Sequence, residues 1–156
     1  FSKAFAMTGW RLAYICANEI LMKQMLKIHQ YTIMCAPTVS QYAGVEALKN
    51  GDAEVEKMRL SYEARRNYIV KAFNDLGLTT HKPKGAFYIF PSVKSTGMSS
   101  DEFCEKLLQQ EKVACVPGTA FDEAGEGYIR VSFAYSIDEL KEAISRIEKF
   151  MKSLKK

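Results

Sequence analysis

Residues 1–11 read FSKAFAMTGWR and include three residues that could serve a reaction or bind a ligand, Lys3, Gly9 and Arg11. A lysine that attacks an aldehyde must lose its proton part of the time, and positive charge nearby favours that loss. Arg11 can bind a phosphate through its planar guanidinium, and Gly9 lets the intervening backbone turn back. The spacing is compatible with a lysine nucleophile beside a phosphate clamp. Taken alone, it also fits an exposed loop lysine followed by an arginine at the start of a strand.

A second informative stretch, VPGTAFDEAGEGYIRVSFA, occupies residues 116–134, where a turn-rich loop leads into a strand. Alternation along that strand places Arg130 on one face and three apolar residues on the opposite, packed face: Ile129, Val131 and Phe133. An arginine in that position can receive a carboxylate through two parallel hydrogen bonds. The alternative is an ordinary surface ion pair with a neighbouring acid.

Residues 2–11 closely resemble the lysine signature of the fold type I, class I and II aminotransferases, which depend on pyridoxal 5′-phosphate. The resemblance implies that Lys3 is the catalytic residue and carries the cofactor as a Schiff base, while Arg11 binds its phosphate. Residues 116–134 resemble the motif of the same family whose arginine binds the substrate α-carboxylate, which gives Arg130 that role. One departure is Ala13, where the family usually has glycine, and a phosphate-binding serine of the family would fall before Phe1.

Two further stretches resemble the same family, CAPTVSQYAGVEAL at residues 35–48 and KPKGAFYIFPSV at residues 82–93. The resemblance therefore covers nearly the whole chain. It implies a homodimer in which residues 32–38 approach the partner subunit's active site. It also implies that the GAFY segment, residues 85–88, begins the small-domain sheet near the substrate entrance.

The activity implied by the resemblance is transfer of an amino group between an amino acid and a 2-keto acid, by a ping-pong mechanism. A β-lyase or an enzyme like aminocyclopropane-carboxylate synthase would keep the same three residues and divert the reaction. An aminotransferase-like sensor domain of a transcription regulator would bind without turnover. Residues 1–156 alone are expected to be inactive, because the family's ring-stacking aromatic residue, its ring-nitrogen carboxylate and its phosphate loop precede the lysine.

Hydrophobic periodicity and capping residues predict mostly helices in the first half of the chain. The predicted elements are a strand over residues 11–17, a helix from its cap Asn18 to Thr32, a helix from Pro37 to Asn50 followed by a left-handed Gly51, and a long helix from its cap Asp52 to Gly77. A helix of that length often bridges two domains, so we expect the domain boundary within it.

After Gly77 the pattern changes to short strands and capped helices. Strands are predicted over residues 86–90, 113–116 and 128–134, and helices begin with the capping-box pairs Ser99 with Glu102 and Ser136 with Glu139. The predicted fold is α/β. Residues 1–62 are expected to be the remnant of a cofactor-binding large domain, and residues 63–156 a small carboxy-terminal α+β domain.

Composition sets limits on function. The 156 residues are 47% apolar and 26% charged, and the net charge of +4 is scattered, which gives no support to nucleic-acid binding. No apolar run is long enough to span a membrane, and no signal peptide is found.

The cysteines lie in apolar sequence without a CxxC pair, so they are expected to be small buried side chains in the cytoplasm; they are Cys16, Cys35, Cys104 and Cys115. His29 and His81 have no metal-ligand partner at a useful spacing, so no metal is expected.

Overall fold

The structure, a computed structural model, describes residues 1–154 and divides the chain into two compact units, Phe1–Arg59 and Leu60–Lys156. The division falls three residues before the boundary expected from the sequence, inside the long helix. The last two residues of the expected small domain, Lys155 and Lys156, lie outside the described residues.

The helices of the first unit begin where the sequence predicts. Helix α1 spans Glu19–Thr32, and the Asn18 side chain caps it by accepting the N–H of Leu21 at 3.0 Å. Helix α2 spans Thr38–Asn50, directly after Pro37, and helix α3 spans Asp52–Asp75. The three predicted helices are confirmed.

The predicted strand over residues 11–17 is wrong. Arg11 has a left-handed φ of 50°, and residues 12–18 have no regular structure. A strand needs a hydrogen-bonded neighbour, and none is found for this segment within residues 1–154. The alternating sequence is therefore present without the partner that would make it a strand.

Two details at the α2–α3 junction also differ from the prediction. Gly51 has a φ of −84°, not a left-handed value, because the chain passes straight from α2 into α3. Asp52 is the first residue of α3 rather than its cap. Glycine is needed at position 51 for space, since a Cβ there would collide with the carbonyl oxygen of Ala47 and with the ring of Phe5.

The first unit buries little of its own apolar surface. Helix α1 contains no buried residue, and the buried residues of α2 are Ser40 and Gly44. Cys16 and Cys35 are exposed, which contradicts the expectation that they are buried. Both cysteines are exposed because few apolar side chains of the described residues pack over the segments that contain Cys16 and Cys35.

The second unit is built on a small antiparallel sheet in the order β1–β3–β2, with β1 at Tyr88–Ile89, β2 at Val116–Pro117 and β3 at Ile129–Ser132. The three predicted strands exist, but all are shorter than predicted, and β2 begins where its prediction ended. Ile129 and Phe133 are 0% and 1% exposed, and Val131 is partly buried against the same core, so the packed face predicted for β3 is confirmed.

Helices α4, Ser100–Glu111, and α5, Ile137–Ser153, complete the unit. Their apolar faces form one core with the end of α3 and the sheet, including a T-shaped pair of Phe103 and Phe150 with ring centroids 5.3 Å apart. The capping box of Ser136 and Glu139 is confirmed. At α4 only half of the predicted box forms, as Ser99 accepts the N–H of Glu102.

Candidate active site

Lys3 lies in a loop that is closed by its own backbone hydrogen bonds. The N–H of Phe5 donates to the carbonyl of Phe1 at 3.1 Å, and the N–H of Ala6 donates to the carbonyl of Lys3 at 3.3 Å. Ala6 has a left-handed φ of 54°, which turns the chain just after the lysine. The Lys3 side chain is exposed and makes no ion pair with another residue of 1–154.

Thr8 connects the lysine segment to Arg11. Its hydroxyl donates to the carbonyl of Ser2 at 2.9 Å, and its own carbonyl accepts a hydrogen bond from Nη1 of Arg11 at 3.0 Å. Arg11 is exposed, so its other donors face solvent. The structure thus places Lys3 and Arg11 in one loop, with a threonine bridging the segments that carry them.

Helix α2 holds the end of this loop. The hydroxyl of Ser40, which is 3% exposed, donates to the carbonyl of Trp10 at 2.7 Å. Gly44, one turn further along, leaves room for Leu12, because a Cβ at Gly44 would meet the Leu12 side chain at 2.5 Å. The backbone on both sides of Arg11 is therefore fixed by α2.

Arg130 lies on β3 in the second unit, on the face opposite the packed side chains. Its guanidinium carbon is 4.5 Å from the ring centroid of Tyr88 and 4.6 Å from that of Phe121. Arg130 makes no ion pair and no side-chain hydrogen bond with any other residue of the described chain. The side chain is half-buried against aromatic rings, and its donors remain available to a ligand.

A groove of about 790 Å³ opens beside Arg130, bordered by β2, β3 and α5. Cys115 is one of its lining residues. Burial raises the pKa of the Cys115 thiol to about 12 and that of the Cys104 thiol to about 11, so both stay protonated at neutral pH. Neither thiol has the properties of a nucleophile. No group of three or more side chains that could hold a metal ion is found within residues 1–154.

Sequence reasoning missed the residues that hold these groups in place. Thr8 and Phe121 lie inside the two motifs that the sequence singles out, but their contacts depend on how each loop closes. Ser100 is fully buried, and its hydroxyl accepts the N–H of Gly127 at 2.8 Å and that of Tyr128 at 3.1 Å. The one available signal was the position of Ser100 next to a helix cap.

The model of the family described as aminotransferase class I and II matches residues 1–147. The chain belongs to the class I and II aminotransferases. The family inferred from the motifs around Lys3 and Arg130, and the α/β fold class, are confirmed.

Individual relatives of this aminotransferase chain are also named as aminotransferases. It is 58% identical over 151 residues to YugH of Bacillus subtilis, a protein named as an aminotransferase, covering 97% of this chain and 39% of the relative. It is 49% identical to aromatic-amino-acid aminotransferase 2 of Thermococcus litoralis, covering 99% of this chain and 40% of the relative.

The aminotransferase chain also superimposes on solved structures. The crystal structure of the aromatic aminotransferase from Pyrococcus horikoshii matches with a TM-score of 0.95 and 46% identity, covering 99% of this chain and 42% of that one. The chain spans about 40% of the length of the curated relatives it matches. No helix of residues 1–154 is long and apolar enough to cross a membrane.

Proposed function

We propose that this chain is part of an enzyme that transfers an amino group between an amino acid and a 2-keto acid with pyridoxal 5′-phosphate as cofactor. The observation that carries the proposal is Arg130, an arginine held against two rings with no acidic partner among residues 1–154. Such a group is suited to a carboxylate from outside the chain. Relatives that are 49% and 48% identical are named aromatic-amino-acid and aspartate aminotransferases, which supports this class of substrate.

The donor set of residues 1–11 fits the proposed cofactor. Lys3 supplies a primary amine for an aldehyde, and Arg11 supplies a guanidinium for a phosphate. Neither is paired with an acidic side chain within the described part of the chain, so both are available to a ligand. When bound, the cofactor supplies the aldehyde and a ring that withdraws electrons from the substrate α-carbon.

Each of the three residues has one task in this proposal. Lys3 would hold the cofactor covalently, and its amine would move the proton at the substrate α-carbon. Arg11 binds the phosphate. Arg130 would orient the substrate carboxylate, so that the bond to be broken at the α-carbon is correctly aligned.

The two units fit the domain roles expected from the sequence, the first as part of a cofactor-binding large domain and the second as the small domain. The first unit exposes large apolar side chains on α1 and α2, such as Ile20 at 77%, Tyr31 at 93% and Tyr42 at 74%. Exposed apolar surface on this scale supports further packing in the parent protein, including a homodimer partner. The four free thiols support a cytoplasmic location.

The proposed roles of Lys3 can be tested in the full-length enzyme with Lys3→Ala. We expect no detectable transamination by the variant, while the cofactor still binds non-covalently through Arg11. Borohydride reduction followed by mass spectrometry should add the cofactor to the peptide containing Lys3 in the wild type and nowhere in the variant. The control is Lys49→Ala, an exposed lysine on α2, which should keep both activity and labelling.

Wild-type turnover by Lys3→Ala would refute the assignment. The β-lyase and synthase alternatives share the same three residues, and none of the contacts described above favours them or the regulator. Product analysis of the wild-type enzyme decides among them, since a lyase would release ammonia with the keto acid.

A further inference from the structure

The guanidinium of Arg130 is held by two rings that come from different parts of the second unit. Tyr88 belongs to β1, which pairs with β3, while Phe121 lies in the loop of residues 118–127 between β2 and β3. Both rings are within the distance at which a cation and an aromatic face attract each other. The position of Tyr88 is fixed by the pairing of β1 with β3, whereas the position of Phe121 depends on the conformation of its loop.

The loop of residues 118–127 is closed by very close backbone packing. Gly118 donates its N–H to the carbonyl of Tyr128 at 2.9 Å and accepts the N–H of Phe121 at 3.0 Å. A Cβ on Gly118 would collide with the carbonyl oxygen of Gly125, and a Cβ on Gly125 would collide with that of Gly118. The two glycines therefore allow a closure that other residues would block.

Ser100 fixes the other end of the same loop from helix α4. Besides accepting the N–H groups of Gly127 and Tyr128, its hydroxyl donates to the carbonyl of Gly125 at 3.4 Å. Phe121 is nevertheless 51% exposed. An exposed aromatic ring on a firmly held loop, stacked on an arginine that has no acidic partner, contributes little to the core and needs another explanation.

We propose that Phe121 is a positioning residue for the substrate carboxylate, acting through Arg130. This inference rests on the proposed function of Arg130. With Tyr88, the ring of Phe121 restricts the guanidinium before the substrate arrives, so less side-chain freedom is lost when two parallel hydrogen bonds form. Ser100 and the two glycines serve this purpose by fixing the loop.

This arrangement acts on binding more than on the chemical step. A freer guanidinium still carries its charge and its donors, but it must be ordered by the substrate. We therefore expect removal of the Phe121 ring to raise the KM for the amino donor and the Kd for unreactive carboxylates by about threefold to tenfold. The value of kcat should change by less than about twofold, because the reacting groups are untouched.

The test compares Phe121→Leu with three other variants in the full-length, cofactor-loaded enzyme. Phe121→Tyr keeps the ring and should restore wild-type values. Phe90→Leu is the matched control, because Phe90 is similarly exposed at 42% and packs edge-on against Phe121, yet makes no ring contact with Arg130 among the described residues. Arg130→Lys reports on the carboxylate receptor itself.

Two measurements are made on each variant, steady-state kinetics with the best amino donor of a panel and calorimetric titration with maleate and 3-phenylpropanoate. The inference is supported if Phe121→Leu raises KM and the carboxylate Kd, Phe121→Tyr does not, and Phe90→Leu changes both by less than about twofold. It is overturned if Phe121→Leu leaves KM and Kd unchanged, lowers kcat alone, or matches Phe90→Leu. If Arg130→Lys also leaves carboxylate binding unchanged, the proposed function fails; if Arg130→Lys weakens binding and Phe121→Leu does not, this inference alone fails.

Discussion

Replacement of Arg130 by lysine in the full-length enzyme tests the proposed carboxylate receptor most directly. Lysine keeps the positive charge but cannot form two parallel hydrogen bonds to one carboxylate, and it loses the stacking against Tyr88 and Phe121 at 4.5 and 4.6 Å. The loss of one charge-assisted hydrogen bond costs about 1.5–3 kcal/mol. This corresponds to a fall in kcat/KM of about 10- to 150-fold for amino donors.

The matched control for this experiment is Arg146→Lys. Arg146 lines the same groove, but its guanidinium is already paired, with Nε 2.8 Å from a carboxylate oxygen of Glu142 and Nη1 3.2 Å from the carbonyl of Glu111. We expect kcat/KM within about twofold of wild type for this variant, since a surface pair contributes little. Steady-state assays over several amino acids measure both variants. A kcat/KM for Arg130→Lys equal to that of the control would assign Arg130 to aromatic packing and remove it from substrate binding.

Two further predictions concern the chain of residues 1–156 itself. Ser136→Ala removes the cap of α5 and should lower the free energy of unfolding by about 1 kcal/mol in urea titrations at pH 7. Hydrogen bonds from Ser136 lower the pKa of Glu139, so that carboxylate adds stability only while it is ionised. The difference in unfolding free energy between wild type and variant should therefore shrink as the pH falls below the usual carboxyl range. A difference that stays constant with pH would contradict the capping box. The isolated chain, saturated with pyridoxal 5′-phosphate, should show no transamination above free cofactor with a panel of amino and keto acids, and enzyme-like turnover would show that the site is complete within it.

Elements whose signals are local were predictable from the sequence. The cap of α1 is a contact between Asn18 and Leu21, and the capping box of α5 joins Ser136 to Glu139. In both cases the two partners are three residues apart, so the sequence shows the whole interaction. The end of α3 also has a local signal, since the helix predicted to run to Gly77 ends at Asp75 and Gly77 takes a left-handed φ of 79°.

Two predictions in the first unit failed because the surroundings of a segment decided its structure. The alternating residues 11–17 have the composition of a strand, but a strand exists only beside another one. Gly51 follows a helix as a left-handed glycine usually does, yet the next helix begins at once and the ring of Phe5 comes close. In both cases the local pattern was typical of the predicted structure, and the surroundings decided otherwise: residues 11–17 have no strand beside them among the described residues, and Gly51 passes directly into α3.

The candidate site divides in the same way. Lys3, Arg11 and Arg130 could be selected because each lies in a motif whose residue types suit one chemical task. The residues that hold the loop beside Arg130 could not be selected from the sequence. Ser100 contacts residues 27 and 28 positions away, and the loop closes through the close approach of the Gly118 and Gly125 backbones. A motif names the group that reacts or binds, while the residues that orient it are visible only after folding.

The two units also differ in how much of their site they can hold by themselves. The second unit has a buried core around Phe73, Phe103 and Phe150, and the groups that orient Arg130 all belong to it. The first unit fixes the Lys3 loop through hydrogen bonds such as that of Ser40 to Trp10, but it exposes most of its large apolar side chains. The proposed carboxylate receptor can therefore form within this chain. We expect the environment that would make Lys3 a nucleophile to come from protein packed on the first unit, so substitutions of the large exposed apolar side chains of α1 and α2 should affect activity through that packing.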